Sequence, residues 1–300
     1  MKYFLTIYNY CNIRRQFLIV LLSLNINIAF GQTLVKLDSL TKVLEAVYKR
    51  DQVPRLRLDS LERQFGFSSI QVKKQWRLIE KNDSADIEVV TQILDTYGWL
   101  SESKTSKTAN SALFSVIQHA KLNLQTKYIE ILKEAVEKGN AKPIQYAYLL
   151  DRVNMREGKL QIYGSQLSVS SNGNQYFFPI KDEPNVNRRR KKIGLPPLQE
   201  VAFNSGFVYN LPVKDSLKNK LVVTGFVIEV DQAPISDVSI KFGTKVVAKT
   251  NADGFYKAII SKDFLKEQLA FEKEGYILSE PPLDNQDKEV YELMVMLTKK

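Results

Sequence analysis

Cysteine and histidine are almost missing: the 300 residues hold one of each, Cys11 and His119. That scarcity excludes much chemistry. Cys11 precedes the apolar run of the N-terminus, so a chain processed after that run has no thiol, which removes disulfides, thiolate catalysis and zinc sites built on sulfur. A single histidine leaves a mixed carboxylate site as the one metal option, and no residue pattern calls for a cofactor. Tryptophan is scarce as well, and Trp76 and Trp99 are expected in the core. A long hydrophobic run is also lacking, because the stretch from Phe17 to Phe30 falls short of the roughly 20 apolar residues of a membrane-spanning helix and is broken by Asn25 and Asn27.

That stretch has another meaning. Arg14 and Arg15 lead into it, and Ala29 and Gly31 supply the small residues of a cleavage site, a secretory pattern that starts the mature chain at Gln32. The expected address is secreted or periplasmic. Cleavage leaves no stable membrane span; retention would make the run an anchor. Cys11 lies upstream, so it is not the lipidated residue of a lipoprotein.

Composition is that of a globular protein, 44% hydrophobic and 25% charged, long enough for two domains with a core each. Charge is unevenly placed. Residues 32–220 hold 30 basic and 20 acidic side chains, whereas residues 221–300 hold 10 and 13. A basic first part beside a mildly acidic second part favours anionic surfaces for the former, and an exported chain does not meet nucleic acid.

Spacing predicts helices through most of the first part. In "LVKLDSLTKVLEAV", Leu37, Leu40, Leu44 and Val47 share one face. Pro54 is expected to break that helix, with "RLRLDSLERQFG" a second one stopped at Gly66. "SIQVKKQWRLIEK" follows, and Asp83 or Ser84 is the expected cap of a further helix, "ADIEVVTQILDTYG". "SALFSVIQHAK", "QTKYIEILKEAVEKG" and "PIQYAYLLDRVNMREG" complete the series, the last opened by Pro143 and stopped by Gly158.

Beyond Gly158 the period changes. "KLQIYGSQLSVSS" and "QYFFPI" meet at Asn172 and Gly173, a strong hairpin signal. "NVNRRRKKIG" is a short helix, and residues 204–219 read as a linker. From Leu221 onward, short strands recur between turns such as "DQAPIS" and "NADG". The expected fold is therefore α+β: a mainly helical domain over 32–203 with a small hairpin or sheet, then an all-β antiparallel sandwich over 220–300.

Two resemblances extend this reading. Gly225 and Val227, "APISDVSI" (233–240) and "TNADGFY" (250–256) make the second domain resemble the carboxypeptidase regulatory-like, transthyretin-like module, with Asp237 where a glycine is often found. The resemblance implies an accessory or interaction unit. "DQVPR" (51–55), "YGW" (97–99), "IQHA" (117–120), "YLLDR" (148–152) and "GKLQIYGSQ" (158–166), in that order, resemble an uncharacterised bacterial family, which implies a shared fold and site and no known activity.

Few side chains offer chemistry. His119 is the group that titrates near neutrality, so a general-base role falls to it, oriented by Asp51 or Asp151; the other reading is a histidine satisfied at a helix end. It lacks the neighbouring glutamate of a zinc-peptidase motif. Asp151 and Arg152 either lock the hairpin or present an arginine fork to a carboxylate or phosphate. Gln52, Gln118, Gln161 and Gln166 can donate and accept toward a peptide or sugar amide, or else satisfy buried backbone. Gly164 would let a ligand approach the backbone. "RRRKK" (188–192) is expected to be a solvated face, with a patch for anionic glycans or lipid head groups as the other option, and Arg156 and Lys159 ordinary surface.

Three functions remain. The leading one is binding of a polar or anionic envelope ligand, a glycan or peptide, in a pocket around His119. The second is a hydrolase with His119, Asp151 and Asp51 as catalytic residues. The third is a structural or interaction protein with a protein partner.

Overall fold

The computed structural model describes residues 36–66, 69–283 and 288–300, so the expected signal segment lies outside the described residues. The chain divides into two compact units, one running to Ala120 and including Lys138–Ala141, the other made of Lys121–Glu137 and Lys142–Lys300.

The first unit is helical. Helix α1 covers residues 36–65, α2 Ile70–Tyr97 and α3 Lys107–His119. The expected break at Pro54 does not occur, and the reason is local. Proline has no N–H for the carbonyl four residues back, and that carbonyl, Arg50 O, instead accepts from Asn82 Nδ2 of α2 at 3.1 Å. Gln75 Nε2, also on α2, donates to Pro54 O at 2.8 Å. Nor do Asp83 and Ser84 begin a new helix: Ser84 Oγ bonds back to Glu80 O within one continuous 28-residue α2. Ser69 caps α2, and Ser106 caps α3 while donating to Glu45 Oε1 of α1 at 2.6 Å.

Leu58, Val72 and Ile79 pack α1 against α2. Trp99 is buried as expected. Trp76 is 43% exposed although it stands four residues after Val72 and three before Ile79, so it lies at the margin of the inward face of α2 and not within the core. Buried Asn110 reaches Leu100 O and Asn140 O, which ties Lys138–Ala141 to this unit.

The second unit begins with α4 (Leu122–Glu137) and α5 (Pro143–Arg156), which pack on each other. Arg156 is exposed, as expected, and its Nη1 also donates to buried Gln125 Oε1 at 2.9 Å, joining the two helices. The hairpin forms with Asn172 and Gly173 in its turn, but its strands are short: β1 (Leu167–Val169) and β2 (Gln175–Phe177), paired antiparallel. Residues 161–166, expected in the first strand, make a bent loop. Helices α6 (Val186–Lys192) and α7 (Leu198–Asn204) follow, the latter not foreseen.

Strands β3 (Leu221–Ile228), β4 (Ser239–Phe242), β5 (Lys245–Lys249), β6 (Phe255–Ile260), β7 (Leu269–Glu272) and β8 (Val290–Met296) form two sheets, ordered β6-β3-β8 and β5-β4-β7. Alternate residues of both, among them Val223, Val227, Ile240, Phe242, Tyr256 and Phe271, fill one core between them. All pairs are antiparallel except β3 with β8. The architecture is thus α+β, with a β-sandwich. Gly225 of β3 has φ +144°, and a Cβ there would fall 1.9 Å from Leu293 O on β8.

The hairpin is docked on this sandwich. Asn172 Nδ2 and Asn174 Nδ2 donate to Asp253 Oδ1 at 2.7 and 2.8 Å, and the Tyr176 hydroxyl donates to Asp253 Oδ2. Tyr176 stacks on Phe255 with ring centroids 3.8 Å apart. Below, Leu160 and Phe178 join Val222 and Val290 in one apolar cluster. Among the described residues no helix is long and apolar enough to cross a membrane.

Candidate functional site

The residues singled out in the sequence are shared between the two units. Asp51, Gln52, Gln118 and His119 belong to the first; Asp151, Arg152, Gln161 and Gln166 belong to the second.

The second group surrounds the loop 161–166. Such a loop, partly buried and without a ladder, must find partners for its own peptide groups. Asp151, 0% exposed on the inner face of α5, supplies the acceptors: Ile162 N donates to Oδ1 at 2.6 Å, Tyr163 N to both oxygens at 3.0 and 3.1 Å, and Ser165 N to Oδ2 at 3.0 Å. Burial pushes the Asp151 carboxyl above the ordinary Asp range, while the backbone donors of Tyr163, Ile162 and Ser165 pull it back.

The carbonyls of the same loop are met from α6. Arg190, 2% exposed, donates from Nη1 to Tyr163 O at 2.6 Å and Gly164 O at 3.3 Å, and from Nε to Pro196 O. Arg189 Nε donates to Ile162 O at 2.9 Å, and its Nη atoms reach Lys181 O and Asp182. The expected solvated run is therefore split: Arg188, Lys191 and Lys192 are exposed, and the two arginines between them bind backbone. Burial lowers the Arg190 pKa, with the charges of Tyr148 and Asp151 opposing.

Gln161 closes the loop. It is 0% exposed; its Nε2 donates to Gln166 O and Phe178 O, and its Oε1 accepts from Gln166 N at 2.9 Å. Gln166 Oε1 accepts from Arg152 Nε at 3.0 Å, and its Nε2 donates to Ser165 Oγ at 2.9 Å. Arg152, Tyr163 and Ser165 are half-buried on this edge. Gly164, read as a place for ligand approach, faces protein: with φ +67°, a Cβ there would lie 2.8 Å from Ile180 Cδ1 and 3.0 Å from Leu198 Cδ2.

In the first unit, Asp51 Oδ2 accepts from Gln52 Nε2 at 2.6 Å, and Oδ1 from Arg55, whose Nη2 also reaches Asp83 on α2. Alongside, Arg50 Nε donates to Asp86 Oδ1 at 2.7 Å, and burial pushes the Asp86 carboxyl up against the pull of Arg50. "DQVPR" thus ties α1 to α2. Gln118 is buried and His119 half-buried at the last positions of α3. Among the described residues, no three His, Cys, Asp or Glu side chains are grouped to hold a metal ion.

Arg189 and Arg190, within a run whose composition suggests a solvated face, bind the loop backbone. A signal was present: Val186 and Arg190 are four apart, so a buried valine places the arginine on the inward face. Asp253 was seen as a turn residue, and its bonds to the hairpin had no local trace.

The profile described as a family of unknown function, DUF6624, matches residues 45–214, more than half of the chain. No curated protein matches the chain.

Proposed function

We propose that this chain, which belongs to the DUF6624 family of unknown function, is a secreted or periplasmic binding protein that takes a polar, envelope-derived ligand on the edge formed by loop 161–166 and α5. One observation carries the reading. The loop's peptide N–H groups are bound by Asp151 and its carbonyls by Arg189 and Arg190. A backbone fixed from both sides holds Tyr163 and Ser165 in one geometry beside Arg152 of α5, and such preorganisation lowers the cost of recognition. Arg152, held in place through Gln166, sets a guanidinium on this edge, the group that pairs with a carboxylate or phosphate.

Asp151 favours binding over hydrolysis. Its oxygens already accept from three peptide groups, which engages the acceptor capacity that orienting a catalytic histidine would need. The sandwich is proposed as the accessory module its residues resemble: Asp237, standing for a glycine, has φ +54°, a region Asp tolerates, and Gly254 at φ +69° lies where a Cβ would meet Val227 O at 2.3 Å.

The test uses muropeptides, soluble sugar-peptide fragments of peptidoglycan, as probe in isothermal titration. Arg152→Ala should weaken binding at least about tenfold, roughly 1.4 kcal/mol, in a variant whose circular dichroism spectrum shows that the fold is kept. Equal binding by this variant would overturn the site. Cleavage of the probe by the native chain and not by His119→Ala would put the hydrolase reading in its place.

A further inference from the structure

A cleft of about 390 Å³ opens within the second unit between the hairpin, the segment 207–209 and β6. Its walls are aromatic. Tyr176 and Phe255 are stacked on one side, with Phe226 edge-on to Tyr176. Phe177 packs against Phe207 and Tyr209, at centroid distances of 5.5 and 4.8 Å, on the other. Val208, at its margin, is 89% exposed.

Charges of both signs sit among these rings. Glu183 accepts from the Tyr209 hydroxyl through Oε1, and its Oε2 lies 3.9 Å from Lys257 Nζ. Asp253 is held by Asn172, Asn174 and the Tyr176 hydroxyl. A cationic ligand would meet Lys257, and an anionic one would meet Glu183 and Asp253. A neutral ligand rich in hydroxyl groups meets neither penalty, because each hydroxyl both donates to a carboxylate and accepts from an ammonium. Pyranose rings also present C–H faces to aromatic rings, and the volume falls in the range of ordinary small-ligand pockets.

We infer that this cleft binds a neutral oligosaccharide segment, with Phe207, Tyr209 and Phe255 as the stacking surface and Glu183 and Lys257 as hydroxyl partners. The site is separate from the loop 161–166 edge, so either can fail without the other. Phenols hold both carboxylates in place, so the geometry exists before a ligand arrives.

An array of neutral, acidic and amine-bearing oligosaccharides, followed by titration of the best neutral tetrasaccharide, tests the inference on the purified protein. Neutral members should be retained, and Phe207→Ala and Lys257→Ala should each weaken binding about tenfold, while Arg152→Ala leaves it unchanged. Folding of each variant is checked by circular dichroism; if Phe207→Ala does not fold, Lys257→Ala decides. Retention of acidic or amine-bearing chains alone, no retention at all, or neutral binding indifferent to the folded variants would overturn it.

Discussion

Replacing Asp151 by alanine isolates the interaction that shapes loop 161–166. The change removes the acceptor of three peptide N–H groups, those of Ile162, Tyr163 and Ser165. A buried donor left without a partner costs about 1–3 kcal/mol, so three give roughly 3–9 kcal/mol before relief. Two effects reduce this: the carboxyl's own burial, which already raises its pKa, is no longer imposed, and a loosened loop admits water to some donors. The expected local loss is about 3–5 kcal/mol, or roughly 10² to 10⁴-fold faster amide exchange, at tenfold per 1.4 kcal/mol. Hydrogen exchange read by mass spectrometry on a peptide covering 160–167 measures it directly, with peptides of the β-sandwich as internal reference. Exchange accelerated less than about tenfold would mean that Asp151 does not hold the loop, and the preorganised edge would lose its basis.

Arg190→Lys should cost about 2–4 kcal/mol in a far-ultraviolet melt, since one ammonium cannot serve Pro196 O, Tyr163 O and Gly164 O as the guanidinium does; a loss under about 1 kcal/mol would contradict the assigned bonds. Pro54→Ala restores a helical N–H and should stabilise the first unit by about 1–3 kcal/mol, seen as a higher urea midpoint, whereas a lower midpoint would refute the account of α1. Asp253 has a folded pKa held below its unfolded value of about 3.9, first by the Tyr176 hydroxyl and then by Asn174 and Asn172. Its contribution is therefore present above about pH 4 and is lost as pH falls through the folded value. The side-chain amide NMR signals of Asn172 and Asn174 should shift over that acid range in the native chain and stay fixed in Asp253→Asn.

Local chemistry explains which parts of this fold could be read in advance. Gly66, Gly139 and Gly158 end helices with positive φ, and Asn172 and Gly173 turn the hairpin, because each feature is decided by its own residue and immediate neighbours. Pro54 misled for the opposite reason: its missing hydrogen bond is replaced by Asn82, 28 positions later on another helix. The loop 161–166 imitates a strand in its pattern, and Asp151 of α5 and Arg190 of α6 pull it out of line from two separate places. "RRRKK" shows the limit of composition, since exposed and buried cations look alike until a packed face separates them. Asp151, Arg152, Gln161 and Gln166 do gather, and for Asp151 and Gln161 the structure shows the partner to be the protein's own backbone.

The positions of Trp76 and Trp99 have a practical consequence. Both fall in the first compact unit, one open to solvent and one buried, and the second unit has tyrosines but no tryptophan. Indole emission therefore follows the loss of α1–α3 and is blind to the β-sandwich. A fluorescence titration with one smooth transition would describe less than half of this chain, and its midpoint could not be assigned to the whole. A tryptophan placed in the sandwich core would turn the same titration into two readable events.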